Sequence, residues 1–204
     1  KTGTLTIGEV RLDHAVDADG KESTIALRWA VLNAALQTAM PNPLDTAILA
    51  ARAGVDLAGC SKAGEVPYDF ERKRLSVLVK EGDRTTLVCK GAVAAVLPAC
   101  ASILSGAAAM LFTAERRATE EERLARWSGE GLRVIAVATR DMADASACVQ
   151  SDEADLTLVG YLVFSDPLKP GIAETVAALA HNGIALKIIS GDNRYVAAHI
   201  AEAI

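Results

Sequence analysis

The stretch from Leu75 to Cys89 is written as an antiparallel hairpin. Leu75, Val77 and Val79 alternate with Ser76, Leu78 and Lys80, and Glu81-Gly82-Asp83 offers a turn into a second run, Thr85 to Cys89. Alternation with period two sends successive side chains to opposite faces of a strand, and a polar turn bearing glycine closes two such strands on each other. Strand character extends over most of Val66 to Lys90, and Thr4 to Val10 and Val134 to Ala138 read as shorter strands.

Helices flank these runs. Ile25, Leu27, Ala30, Val31 and Ala34 recur at helical spacing within Ser23 to Met40, and Pro41-Asn42-Pro43 ends that helix. A second helix is predicted from Leu44 to Ala53, with Gly54 at its cap. Gly91 opens an alanine-rich helix from Ala92 to Ala101. Thr119 and Glu122 stand at capping-box spacing ahead of Leu124 and Trp127, in a helix that stops near Gly129-Glu130-Gly131. Asp13 to Lys21 reads as a polar turn, and Asp141 to Asp155 as a surface loop or domain transition.

The last fifty residues change character. Leu156 to Phe164 is an almost unbroken apolar strand, Pro170 begins a helix through His181 capped by Gly183, Ile184 to Ile189 is a second buried strand, and a helix follows from Asn193. Strand–helix–strand–helix is the grammar of a parallel α/β sheet. So few parallel strands make an incomplete layer, and Lys1 and Ile204 are therefore expected to be cut ends of a larger protein. Two lobes are expected: residues 9–153 as an α+β domain with an antiparallel sheet flanked by helices, and residues 1–8 with 154–204 as a truncated Rossmann-like α/β lobe.

A net charge of −5, with no basic run, argues against nucleic acid as a partner. Cys60, Cys89, Cys100 and Cys148 form no C-x-x-C pair and lie far in sequence from His14, His181 and His199, so reduced, mostly buried thiols in a cytosolic setting are expected. Lys1 to Val10 lacks the apolar core of a secretion signal. Ala92 to Phe112 carries no charge over a length near a bilayer span, but its alanines, Pro98, Ser102, Ser105 and Gly106 favour a buried helix and a small-residue connection instead.

Chemistry can sit at a few places. Asp166 and Asp192 follow the two presumed parallel strands, where α/β sheets bind ligands, and Ser190-Gly191-Asp192 combines a hydroxyl, a bare backbone and a carboxylate. Both aspartates serve equally as turn formers or helix N-caps. Lys90-Gly91-Ala92 offers a cation and close backbone approach for a phosphate, or simply a surface lysine and a turn glycine. Tyr68 and Phe70 alternate on a strand, so one can stack on a purine while the other fills the core, or both are core or edge aromatics. Glu71 to Arg74 reads as a solvated charge cluster. Gly54 to Ser61 is one residue short of a Walker A loop, with Cys60 where the lysine is required, and reads as a plain loop.

In order, these pieces resemble the P-type ATPases. Lys1-Thr2-Gly3-Thr4-Leu5-Thr6 is similar to the phosphorylation motif D-K-T-G-T-L-T from its second residue. Lys90-Gly91-Ala92 resembles the K-G-A motif of the nucleotide-binding domain. Asp166-Pro167-Leu168-Lys169-Pro170 resembles the D-P-P-R/K return to the phosphorylation domain, and Ser190-Gly191-Asp192-Asn193 resembles T-G-D with serine for threonine. Gln37-Thr38, Asn42-Pro43-Leu44-Asp45 and Asp69-Phe70-Glu71-Arg72-Lys73-Arg74 look most like bacterial magnesium-transporting members, with proton or calcium as alternative ions.

The resemblance implies roles. Asp45 matches an acidic position near the adenine amino group. Tyr68 or Phe70 matches the stacking aromatic, Lys73 and Lys90 match pocket lysines beside Gly91, and Arg133 matches an arginine near the phosphates. Lys1, Thr2, Gly3, Thr4, Ser190, Gly191 and Asp192 match the phosphorylation site, with the Thr2 carbonyl on Mg²⁺. Asp166 and Pro167 match the hinge. It also implies a haloacid dehalogenase-type lobe, ATP and Mg²⁺ as cofactors, and a cytoplasmic domain of an integral inner- or plasma-membrane protein. Its partners would be ATP or ADP and the remaining phosphorylation, actuator and transmembrane domains of the same polypeptide. The nucleophilic aspartate would precede Lys1, so these residues alone are expected to bind adenine nucleotide without turning it over. A haloacid dehalogenase-like phosphatase and a nucleotide-binding regulatory module are the rival readings.

Overall fold

The computed structural model describes residues 3–38, 42–106, 108–143, 145–189 and 194–204. Eight strands form one mixed sheet flanked by helices: β1 (Arg11–Val16), β2 (Cys60–Val66), β3 (Arg74–Glu81), β4 (Arg84–Ala92), β5 (Cys100–Ser105), β6 (Ala108–Leu111), β7 (Arg133–Asp141) and β8 (Leu156–Ser165). The order is β2-β3-β4-β7-β8-β5-β6, with β1 also on β8. The helices are α1 (Thr24–Leu36), α2 (Pro43–Ala50), α3 (Val93–Val96), α4 (Ala114–Gly129), α5 (Ile172–His181) and α6 (Arg194–Glu202).

The predicted hairpin is β3–β4, with Glu81 opposite Arg84 across Gly82 and Asp83. Its alternation sorts the core. Leu75, Val77 and Val79 join Val88, Ile135, Val137, Leu162 and Phe164 on one face, against Ala30, Val31 and Ala34 of α1 and Ala47 and Ile48 of α2. Leu78 joins Leu87, Cys89, Ala136, Ala138, Tyr161 and Val163 on the other, where Leu124 and Trp127 of α4 pack. Trp127 meets Tyr161 edge-on at 5.7 Å.

β8 is the spine of the sheet, not the start of a parallel layer. One edge pairs with β7 along most of its length. The other pairs with β1 over residues 161–165 and with β5 over residues 156–158. Only the β5–β8 pairing is parallel among the described residues. A strand buried on both faces reads as a continuous apolar run wherever it lies, so the run fixed the strand and not its neighbours. Gly160 permits the closest approach: a Cβ there would lie 2.1 Å from the Val16 carbonyl oxygen.

Four local expectations are corrected. The first strand is residues 11–16, not Thr4 to Val10, and it uses part of the presumed polar turn. Ala15 and Val16 face the core while Arg11, Asp13 and His14 stay on the solvent side. The alanine-rich helix is a single α-turn and a 3₁₀ turn through Pro98. Cys100–Ser105 then pairs with β8 and with β6, because sheet hydrogen bonds outcompete alanine's helix preference there. The long charged helix starts at its N-cap Thr113, whose hydroxyl accepts from Arg116 N, so Thr119 lies inside it and donates to the Glu115 carbonyl. Residues 184–189 form no strand: Ile184, Leu186 and Ile189 are exposed, and among the described residues no strand pairs with them. An extended segment without a neighbour to bond is not a strand.

Both predicted N-terminal helices form, although α2 ends at Ala50 with Ala51 rather than Gly54 at its C-cap. Ser23 accepts from Ala26 N at the head of α1, and Asn42, followed by Pro43, caps α2. Near the termini, Leu5, Val196 and Ile200 form a small third cluster with Leu168, Ile172 and Ile188.

Candidate nucleotide site

Lys90 is a buried cation in the middle of the sheet. On β4 it lies between Leu75 of β3 and Val137 of β7, on the face that α1 and α2 cover. Its ammonium donates to Asp45 Oδ1. Lys90 and Asp45 are 6% and 3% exposed. Burial holds the Lys90 ammonium below the ordinary lysine range, with the Asp45 carboxylate opposing that shift.

Asp45 is the third residue of α2, where a carboxylate favours the helix N-terminus. Asn42 Oδ1 accepts from the backbone N–H of Leu44 and Asp45 at 2.9 and 3.0 Å, and its amide donates back to Asp45 Oδ2. The Gln37 amide, just past α1, donates to the same oxygen. Thr38 is pinned in turn: its N–H and hydroxyl donate to Glu65 of β2, which also pairs with Lys62. The result is a carboxylate with two amide donors and one ammonium, all held by the first turn of a capped helix.

The β2–β3 connection, residues 67–73, carries three further candidates. Tyr68 and Phe70 are not on a strand and do not face apart. Both sit in this loop, 47% and 86% exposed, with rings edge-to-face at 5.6 Å. Lys73 is exposed and adopts φ 49°, a left-handed conformation rare for a side chain with a Cβ. Its N–H donates to the Asp69 carbonyl at 2.9 Å, and its own carbonyl accepts from Ala92 N at 2.9 Å. The loop therefore lies directly against Lys90-Gly91-Ala92. Only glycine fits at 91, because a Cβ would come 2.5 Å from the Lys73 carbonyl oxygen and from Arg74 Cβ.

Strand register gathers the rest. Arg74 faces Gly91, Ala92 faces Ile135, and Arg133 faces Phe164. The start of β3, the end of β4, the start of β7 and the end of β8 thus share one end of the sheet, where loop 67–73, Lys90, Gly91 and Arg133 converge. β8 delivers Asp166 and Pro167 to that same end. Asp166 accepts from the Thr6 hydroxyl at 2.7 Å and from Gly8 N at 3.0 Å. Ile7 N donates to the Pro167 carbonyl, and Lys169 N to the Leu5 carbonyl, both at 2.9 Å, so incoming and outgoing chains run side by side. Gly3, at φ 77°, and Thr4 form the turn before this ribbon, and the Lys169 ammonium donates to the Gly3 carbonyl at 2.6 Å. Lys1, Thr2, Ser190, Gly191 and Asp192 lie outside the described residues.

Glu71 to Arg74 is not a simple solvated face. Arg72 and Arg74 retain only 12% and 17% side-chain exposure and pair with Glu153, whose side chain is fully buried. Glu153, Gln37 and Asn42 were assigned no role from sequence. For Asn42 a signal existed: Asn-Pro-Leu-Asp is an N-cap with an acidic residue three positions on, which predicts reciprocal bonding. Glu153 had none, being remote in sequence from its partners.

All four cysteines are free, Cys89 and Cys100 buried and Cys60 and Cys148 half-buried. Among the described residues no cluster of histidine, cysteine and carboxylate side chains is placed to hold a metal, and no helix is long and apolar enough to cross a membrane.

Residues 17–171 match the family profile described as P-type ATPase, cytoplasmic domain N. Among curated proteins, the chain is 37% identical to a "Magnesium-transporting ATPase, P-type 1" of Salmonella typhimurium over 98% of its own length and 23% of the relative's. The Escherichia coli protein of the same name gives 37% over the same shares. A calcium-transporting ATPase of Bacillus subtilis is 32% identical over 68% of this chain and 16% of that protein. The chain thus spans about a quarter of the length of the magnesium-transporting relatives.

Proposed function

Because the chain belongs to the P-type ATPase family, through the cytoplasmic domain N that residues 17–171 match, we propose that it binds ATP and presents it to a phosphorylation site in the same polypeptide. The carrying observation is the buried Lys90–Asp45 pair beside the bare backbone of Gly91, at the sheet end where loop 67–73 meets the strands. A lysine at this end of the sheet suits a polyanionic nucleotide, and a carboxylate with neighbouring amides suits an exocyclic amino group. Tyr68 or Phe70 would stack on the base, both being exposed and unclaimed by the core, while Lys73 and Arg133 would face the phosphates.

The whole protein would be an ATP-driven cation pump. Relatives aligned over nearly all of this chain carry magnesium-transporting names, which favours magnesium over calcium or protons. Residues 3–8 and 166–169 would be the two strands of a hinge to a haloacid dehalogenase-type phosphorylation lobe, and the interdomain boundary would then follow Ser165 rather than Glu153. Lys1, Thr2, Gly3, Thr4, Ser190, Gly191 and Asp192 would contribute to that lobe. By resemblance, the Thr2 carbonyl would help to hold Mg²⁺ beside the phosphorylation site. The aspartate that accepts phosphate would precede Lys1, so no ATP turnover is expected from these residues.

Calorimetric titration with ATP, and with GTP as a control, tests the reading on wild type, Lys90→Ala and Lys90→Met, each first checked for a cooperative melt. Saturable binding that prefers ATP and weakens at least tenfold on loss of Lys90 supports it. Absence of ATP binding by folded wild type at millimolar concentration refutes it. Equal affinity in folded Lys90 variants removes Lys90 from the site.

A further inference from the structure

Loop 67–73 is held locally by a few polar contacts: Lys73 N donates to the Asp69 carbonyl, Glu71 N to the Asp69 carboxylate and Ala92 N to the Lys73 carbonyl. Phe70, Tyr68 and Lys73 are exposed, and the loop lacks regular secondary structure. One guanidinium links these contacts to a buried carboxylate outside the loop. Arg72 donates to the Pro67 carbonyl at 2.5 Å, where the loop begins, and to the Asp69 carboxylate at its middle, while Arg72 N also bonds that carboxylate at 2.6 Å. The remaining direction of the guanidinium ends on Glu153.

Glu153 is itself a fixed post. Its carboxylate accepts from Arg74 Nε at 2.9 Å and from the Ser76 hydroxyl at 2.6 Å, so these side-chain bonds run to the loop and the strand that leaves it. Arg140 grips the backbone on either side, donating to the carbonyls of Asp152 at 3.1 Å and Ala154 at 3.0 Å. A 3₁₀ turn precedes Glu153, and β8 begins three residues after it. A buried carboxylate between two guanidinium groups is held by charge-assisted hydrogen bonds, which are short and directional. Losing its charge would leave nearly buried Arg74 without a carboxylate and Arg72 with Asp69 alone, and Arg72, on the loop, is the one able to swing toward water.

We propose that Glu153 is the positioning residue of the nucleotide site: acting through Arg72, it fixes loop 67–73 so that Tyr68, Phe70 and Lys73 face Lys90 and Gly91. The inference rests on the ATP-binding reading above. Glu153 touches no nucleotide; it acts from the opposite sheet face, on which its arginine partners lie.

Two readouts on the 204-residue chain test this, using Glu153→Gln, Arg72→Gln and the double variant. Amide hydrogen exchange without nucleotide reads loop order, and calorimetry reads ATP affinity. Each single variant is expected to speed exchange of the loop amides, leave those of β4 and β7 unchanged, and weaken ATP binding by about tenfold or more, the scale of a charged hydrogen bond. The double variant should lose clearly less than the two single losses combined, since both cut the Glu153–Arg72 link. Unchanged loop exchange in both variants overturns the proposal, as does a loosened loop with wild-type ATP affinity, or losses that multiply in the double variant. If Glu153→Gln fails to fold, Glu153→Asp, which keeps the charge but draws it back from Arg72, takes its place beside Arg72→Gln. If wild type binds no ATP, the function reading fails with this one, while loop exchange still reports whether the Glu153–Arg72 link orders the loop.

Discussion

Replacing Lys90 by methionine keeps most of the side-chain volume and deletes the ammonium. Asp45 then remains 3% exposed with only the amides of Gln37 and Asn42 as donors. Breaking a buried ion pair from one side costs about 3–5 kcal/mol. The two amides and the N-terminus of α2 still favour the carboxylate, so the loss should sit near the lower end, about 3 kcal/mol. Asp45→Asn strands the ammonium and turns an amide donor toward the donors of Gln37 and Asn42, for a similar cost of about 3 kcal/mol. The double variant carries no uncompensated charge. It should lose about 2–3 kcal/mol, well short of the roughly 6 kcal/mol sum, because additivity fails for residues in contact. Urea unfolding of all four proteins at pH 7 measures this. With a slope of about 2 kcal/mol per molar, each single substitution should move the midpoint by about 1.5 M. Single costs below about 1 kcal/mol, or a double variant additive within about 0.5 kcal/mol, would refute the claim that this pair is desolvated and mutually dependent.

Other outcomes follow from the same structure. Phe70→Ala and Tyr68→Ala should each change stability by under about 0.5 kcal/mol, both being surface loop residues. Whichever ring stacks on adenine should lose about 1–3 kcal/mol of ATP affinity in calorimetry, and the other little. Gly160→Ala should cost about 3 kcal/mol in urea unfolding, since its Cβ would collide with the Val16 carbonyl and part β1 from β8. Asn42→Ala should cost about 1–2 kcal/mol by the same assay through loss of the α2 cap. Burial pushes the Cys89 thiol up to about 11 and the Cys100 thiol up to about 12. Native alkylation at pH 8 should therefore spare both, with about one thiol in a thousand ionised at Cys89. Because the native state keeps protons that the unfolded chain releases, these thiols' contribution to stability should be full below about pH 9 and fall as pH rises through about 11 to 12, a slope that Cys89→Ala and Cys100→Ala would reduce.

Local chemistry was enough to determine the hairpin at Gly82, the presence of helices at α1 and α2, the strand at Leu156 and the helix ending near His181. Each is decided by a few adjacent residues: a turn glycine, apolar residues at helical spacing, or an apolar run of strand length. Motif order likewise identified Lys90-Gly91-Ala92 and Asp166-Pro167 as the places to look. Partnership was beyond its reach. Leu156 to Phe164 is equally apolar in a parallel layer or as the spine of a mixed sheet, and only the ladders to β1, β5 and β7 distinguish the two. Ile184 to Ile189 has a strand's composition without a neighbour to bond, whereas Cys100 to Ser105 gained one and ceased to be helix. The same holds for charge. Arg72 and Lys73 are adjacent and alike in the sequence, yet one is buried against a glutamate 81 residues away and the other faces water. Hydrogen bonds and ion pairs between distant residues depend on which surfaces the fold brings together, and that is set by the whole sheet at once rather than by any stretch of it.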